Sequence, residues 1–243
     1  MKNLIIVLAL IMPTITLAQD VFIVEDMITT KDVSVNAFII NIKGEFDDAV
    51  DNYKDFVKKT YDLKVEKENK TTYMIEAVNL PHISVKRGDL KSYLINTDSM
   101  NIMAFSFLLG YDVFLSTKED PAEMAHFKKF VIDFMDFHYK AYYTGIIEKQ
   151  NKSLAGTKKE IEQDEKKINS LKKKVVSLAK KKEKEEDADK KVAINANKEL
   201  TENEINELVA QIATLRIEVS KKEKELYILK QEINKYHLQI TAL

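Results

Sequence analysis

The sequence predicts an α+β protein, with a small β-α-β-β-β-α head followed by a long C-terminal antiparallel coiled-coil hairpin. Three observations carry that expectation. Strand-like and helix-like hydrophobic periods alternate through residues 34–143. Heptads replace them after Gly145. Chain breakers are scarce, with 5 glycines and 3 prolines in 243 residues, while 32% of side chains are charged, a composition that favours long helices.

The chain opens MKNLIIVLALIMPTITLAQD. Lys2 supplies a basic start, Leu4 to Met12 an apolar stretch, and Thr16 and Ala18 the small residues of a secretory leader cleaved between Ala18 and Gln19. That apolar stretch falls well short of the ~20 residues that span a bilayer. Residues 1–18 are therefore expected to be a signal peptide and residues 19–33 an N-terminal segment. The product should be exported to the periplasm or beyond, and soluble after cleavage. Because the chain has no cysteine, it has no disulfides, no thiolate chemistry and no lipid-bearing cysteine, so it is not expected to be a lipoprotein. Lysine and arginine (38) nearly balance aspartate and glutamate (39), which removes the uncompensated basic face that nucleic-acid binding requires.

Residues 34–145 should form the head. SVNAFIINIKG, from Ser34 to Gly44, is β-branched and apolar, as suits a strand buried on both faces. Behind it, Phe46, Ala49, Val50, Tyr53, Phe56 and Val57 recur at helical spacing, and Asp47, Asp48 and Asp51 crowd the helix start, where the dipole favours acids. These acids lack the glycine and terminal glutamate of an EF-hand loop. LKVEKENKTTYMIEAV has period two with a polar break, giving two short strands or one bulged strand. Asn79-Leu80-Pro81 ends it.

Asp89 to Asn96 is the next strand. After the Thr97-Asp98-Ser99 turn comes the longest, in which Met103, Phe105, Phe107, Leu109, Tyr111, Val113 and Leu115 share one face and Gly110 marks a bulge. Asp120-Pro121-Ala122-Glu123 reads as an N-cap, a proline at the first helical position and a capping-box glutamate. The helix behind it carries Phe127, Phe130, Val131, Phe134, Phe137, His138 and Ala141 on one side. That stripe should bury against the sheet, so the helices cover one face. The same aromatic run, up to Tyr143, could instead line a pocket for an apolar ligand, though such stripes ordinarily form core.

SVNAFIINIKG, LGYDVFLSTKEDP and the charged helix after them resemble exported proteins of unknown function from Bacteroidetes-type bacteria, which join a small α+β head to a charged C-terminal coiled coil. The resemblance implies fold and export. It brings no activity and no site residues.

Residues 146–243 should form the hairpin. In the first arm, Ile147, Leu154, Ile161, Ile168 and Val175 fall at a, with Leu171 and Leu178 at d. In the second, Ile205, Ile212, Val219, Leu226, Ile233 and Ile240 fall at a, with Leu208, Leu215, Leu229, Tyr236 and Leu243 at d; Lys222 is a polar exception, as is Asp164 in the first arm. The two registers are offset by an amount that neither a three- nor a four-residue discontinuity supplies, so the chain should turn back within 186–200. One pairing sets Leu178 opposite Ile205, Leu171 opposite Ile212, Ile168 opposite Leu215 and Asp164 opposite Val219, turning near Lys191 and Val192. A second turns near Lys198 and Glu199, just before a capping box at Thr201-Glu202-Asn203-Glu204 with a staple between Leu200 and Ile205. Either returns the C-terminal arm to the head.

The sequence offers no catalytic, cofactor-binding or metal site. Its histidines, His82, His126, His138 and His237, have no metal-binding spacing, and no nucleophile elbow or phosphate-binding glycine loop is present. The expectation is a non-enzymatic exported assembly or adaptor protein, whose hairpin self-associates or docks a protein partner. A periplasmic holdase-like chaperone is the alternative, and a head that binds a small apolar ligand or acts as an enzyme is a third. The lysine-rich KKINSLKKKVVSLAKKK would suit an anionic membrane surface, but most charged coiled-coil faces are only solvated, and no membrane or nucleic-acid partner is predicted from it.

Overall fold

A computed structural model of the chain describes residues 21–30, 33–97, 100–110 and 113–243. The expected leader, with its cleavage point at Ala18 and Gln19, lies outside them. The described chain folds into one antiparallel sheet of seven strands followed by two long helices packed against each other.

The strands are β1 (Ile23–Thr30), β2 (Val33–Ile42), β3 (Glu66–Lys67), β4 (Thr72–Val78), β5 (Gly88–Asn96), β6 (Asn101–Gly110) and β7 (Val113–Phe114), with α1 (Phe46–Tyr61) between β2 and β3. In space they run β1-β2-β6-β5-β4-β3, and β7 folds back on β6. The expected β-α-β-β-β-α order is corrected to β-β-α-β-β-β-β-β-α. The segment before residue 34 is an edge strand paired with β2, the polar break frees β3 as a separate strand, and the longest strand divides at Gly110. Gly110 has a φ of 113°, open to glycine without strain, and a register shift sits between Leu108 and Gly110. That shift ends the expected common face: Met103, Phe105, Phe107 and Leu115 reach the core, Leu109 is half-buried, Val113 is exposed, and Tyr111 lies outside the described residues.

Alternation along the strands sends Phe38, Ile40, Ile42, Leu90, Met103, Phe105 and Phe107 to one side, where α1 and the start of α2 (Pro121–Lys184) cover them. Aromatic rings interlock there. Tyr53 meets Phe105 at 5.4 Å and Phe134 at 5.3 Å, and Phe56 meets Phe130 at 5.5 Å, all edge to face. The aromatic run of α2 is thus core, and these rings fill the space between helix and sheet where the alternative reading set a pocket. Gly88 marks a close approach in this layer: a Cβ there would lie 2.5 Å from the Leu108 carbonyl oxygen.

Helix α2 starts with Pro121 in its first turn, but its expected capping box is not made. Asp120 forms no side-chain cap and instead accepts from Lys86 Nζ at 3.2 Å. The helix then continues without a break past Gly145 to Lys184, so head and hairpin share one element. The chain reverses at 185–187, where Asp187 accepts from the backbone N–H of Asp189 and Lys190 to cap α3 (Ala188–Thr241). Both expected turn centres are corrected. Lys191, Val192, Lys198 and Glu199 all lie within α3, and the Thr201 box is interior helix, its hydroxyl donating to the Asn197 carbonyl.

Candidate functional site

The first candidate surface is the hairpin, and its inner face sets what its outer face offers. Ile161, Ile168 and Leu171 pack with Ile205, Leu208 and Ile212, so the arms sit about one heptad closer to the turn than the first expected pairing. Ile168 belongs with Leu208 and Ile212, not Leu215; the same shift moves Asp164 from Val219 to the Ile212 layer. Lys158 to Glu223 at 2.7 Å, Lys167 to Glu204 at 2.9 Å and Arg216 to Glu165 at 2.8 Å join the arms along their flanks.

Of the remaining seam residues, Leu226 is buried, and Ile147, Leu154, Val175, Leu178, Leu215 and Val219 are half-buried. Leu229 and Ile233 pack against the head core, which Tyr236 and Ile240 enter; Leu243 is exposed. Tyr236 stacks on Tyr143 with centroids 5.3 Å apart and meets Tyr139 at 5.4 Å, anchoring the second arm beside the sheet. Burial pushes the Tyr139 and Tyr143 phenols far above their ordinary range, so both stay neutral; Tyr139 Oη donates to the Asn41 carbonyl.

Polar side chains interrupt the seam. Lys222 Nζ donates to Thr157 Oγ1 at 3.0 Å and pairs with Glu218 at 2.5 Å, while Thr157 donates to the Ser153 carbonyl. Nearby, Asp164 Oδ2 is buried with no hydrogen-bond partner among the described residues.

Outside the seam the arms differ. On distal α2, Lys172, Lys173, Lys180, Lys181 and Lys184 surround Val176 and Ser177, with no ion pair to any of these five lysines among the described residues. On α3, Val192 (69% exposed), Leu200 (69%), Ile217 (73%), Tyr227 (64%) and Leu238 (70%) project away from α2. Heptad counting places all five at b, c or f positions, which a two-helix hairpin leaves in water.

The second candidate surface is the sheet face opposite the helices. Ile28, Val35, Ala37, Tyr93 and Ala104 form a second buried cluster there, with Ile39, Ile95 and Phe114 against it. The sheet curls so far that the β1–β2 end and the β3–β4 turn line the same cavity of about 730 Å³. Asn69 Oδ1 accepts from Thr71 N and Thr72 N, holding that turn over the face. Glu68 reaches Lys91 Nζ at 3.4 Å, and the Tyr93 and Ser106 hydroxyls lie 3.3 Å apart. Burial, and after it the Glu68 charge, raise the Tyr93 phenol above its ordinary value, despite the Ser106 bond. Alternation puts Ala104 and Ser106 on the side of β6 opposite Met103, Phe105 and Phe107, but no local pattern foretells a cavity. Strand alternation reveals which residues share a face, whereas curvature arises from the whole sheet.

Elsewhere the histidines stand apart. His82 stacks on Tyr61 at 4.7 Å, His126 is exposed, His237 Nδ1 meets Asp136 at 3.1 Å, and His138 is buried between Asn52 and the Lys43 carbonyl. Among the described residues no cluster of three or more His, Cys, Asp and Glu is placed to hold a metal ion, and no helix is long and apolar enough to cross a membrane.

Fold and surfaces together define a head-and-hairpin α+β protein with one cupped sheet face. Comparison with protein-family models, with curated proteins and with solved structures gives no match.

Proposed function

We propose that this chain is a non-enzymatic, exported assembly protein that associates through the outer face of α3. One observation carries the reading: Val192, Leu200, Ile217, Tyr227 and Leu238 stand in water on a helix whose seam is already occupied by α2. Burying such side chains contributes about 1.5–3 kcal/mol each, so a second helix laid along them gains several contacts. The lysine-rich face of α2 repels its own copy, which directs self-association to α3. Export rests on the leader-like first residues, and kinship with exported Bacteroidetes-type head-and-coil proteins belongs to the same reading. An adaptor that docks a different helical protein uses the same surface.

Sedimentation over a range of concentrations tests it. The purified chain is expected to self-associate, and Leu200→Glu with Ile217→Glu is expected to leave a fully helical monomer. A wild-type chain that stays monomeric at every concentration would overturn self-association. The same exposed residues also favour the holdase reading, in which the wild type suppresses aggregation of unfolded envelope proteins and the double variant does not.

A further inference from the structure

We propose that the cupped face of the sheet binds a small amphiphile with an apolar body and one carboxylate. This site is separate from the hairpin surface and does not rest on association. Its volume, about 730 Å³, lies within the ~300–1,000 Å³ range of ligand pockets. Ile28, Val35, Ile95 and Phe114 supply an apolar floor, and among the described residues that line it Lys91 is the one cation. That lysine lies mid-strand on β5, opposite Ser106, with its side chain only 20% exposed.

The pairing of Lys91 with Glu68 leaves room for a ligand. Both carboxylate oxygens stand 3.4 Å from Nζ, longer than the ~2.7–2.9 Å of a strong charge-assisted bond. An ammonium has three donors, so a ligand carboxylate can take one while Glu68, carried on a turn, shifts outward. Charge complementarity thus fixes the polar end, and the floor takes the apolar body.

Titration calorimetry of the full chain with dodecanoate and with dodecanol tests the proposal. Dodecanoate is expected to bind saturably at one site and more tightly than dodecanol. Lys91→Met should weaken dodecanoate roughly tenfold or more while leaving dodecanol unchanged. Val33 lines the mouth of the cavity and is 40% exposed, so Val33→Trp should fold and weaken both ligands. The proposal is overturned if neither ligand binds saturably, if Lys91→Met leaves dodecanoate affinity intact, or if a folded Val33→Trp binds as the wild type does.

Discussion

At the scale of single residues, His138 shows how a side chain with functional potential is absorbed by structure. It is fully buried, with Nε2 3.0 Å from the Lys43 carbonyl and Nδ1 3.0 Å from Asn52 Nδ2. Nε2 must donate to the carbonyl, so Nδ1 is left to accept from the Asn52 amide and the ring is neutral. Burial holds its pKa below the ordinary 6.5, against the opposing pull of the Lys43 bond and the Asp48 charge. The unfolded ring therefore binds a proton more readily than the folded one, and the linkage has a definite sign. Stability from this group is full above about pH 6.5 and falls as the pH drops below that value toward the lower folded pKa. Thermal melts should show the wild-type midpoint declining between pH 7 and pH 5 more steeply than that of His138→Gln. Equal slopes would contradict the buried neutral ring. The sequence placed His138 on the apolar stripe of its helix; its partners, 95 and 86 residues away in the chain, could not be read from local pattern.

At the scale of elements, hydrophobic period and heptad count were informative, and end signals were uneven: Pro121 starts α2 and Asn79-Leu80-Pro81 follows the end of β4, but the hairpin turn was misplaced. Ala49, Val50, Tyr53, Phe56 and Val57 marked α1 by spacing alone, and the structure buries all five. The turn at 185–187 falls at the early edge of the expected 186–200 span, and its exact place escaped because its cap, Asp187, is one acid in a nearly unbroken charged run with no glycine or proline. Thr201 misled for the opposite reason. It has the capping-box sequence, yet it is 2% exposed inside α3 and its hydroxyl is bonded to the preceding turn. Asp164 matters at this scale because its Oδ2 is buried without a partner among the described residues, next to the apolar Ile168, Leu208 and Ile212 packing. Replacing it with leucine removes that unsatisfied acceptor and adds apolar contact, so Asp164→Leu should raise stability by about 1–3 kcal/mol in urea unfolding. A loss of stability would show that the carboxylate is needed for the register of the arms.

At the scale of the whole molecule, α2 links two parts that the sequence separates at Gly145. Its first turns close the head core and its later turns form the hairpin, while Tyr236 and Ile240 bring α3 back into that same core. Both arms of the hairpin are thereby fixed to the head at its base, α2 by its first turns and α3 by its last. Overall class and the division into head and paired helices were legible because period two, period 3.6 and the heptad leave distinct traces. The cup was not, because it depends on how strands far apart in sequence curl toward each other.

The most direct measurement uses the absence of cysteine from the chain. A spin label at Ile217→Cys, on the outer face of α3, should be immobilised at associating concentrations and couple strongly to the label of a second copy, as helices packed about 8–10 Å apart require. A label that stays mobile, with no coupling between copies at any concentration, would contradict association through this face.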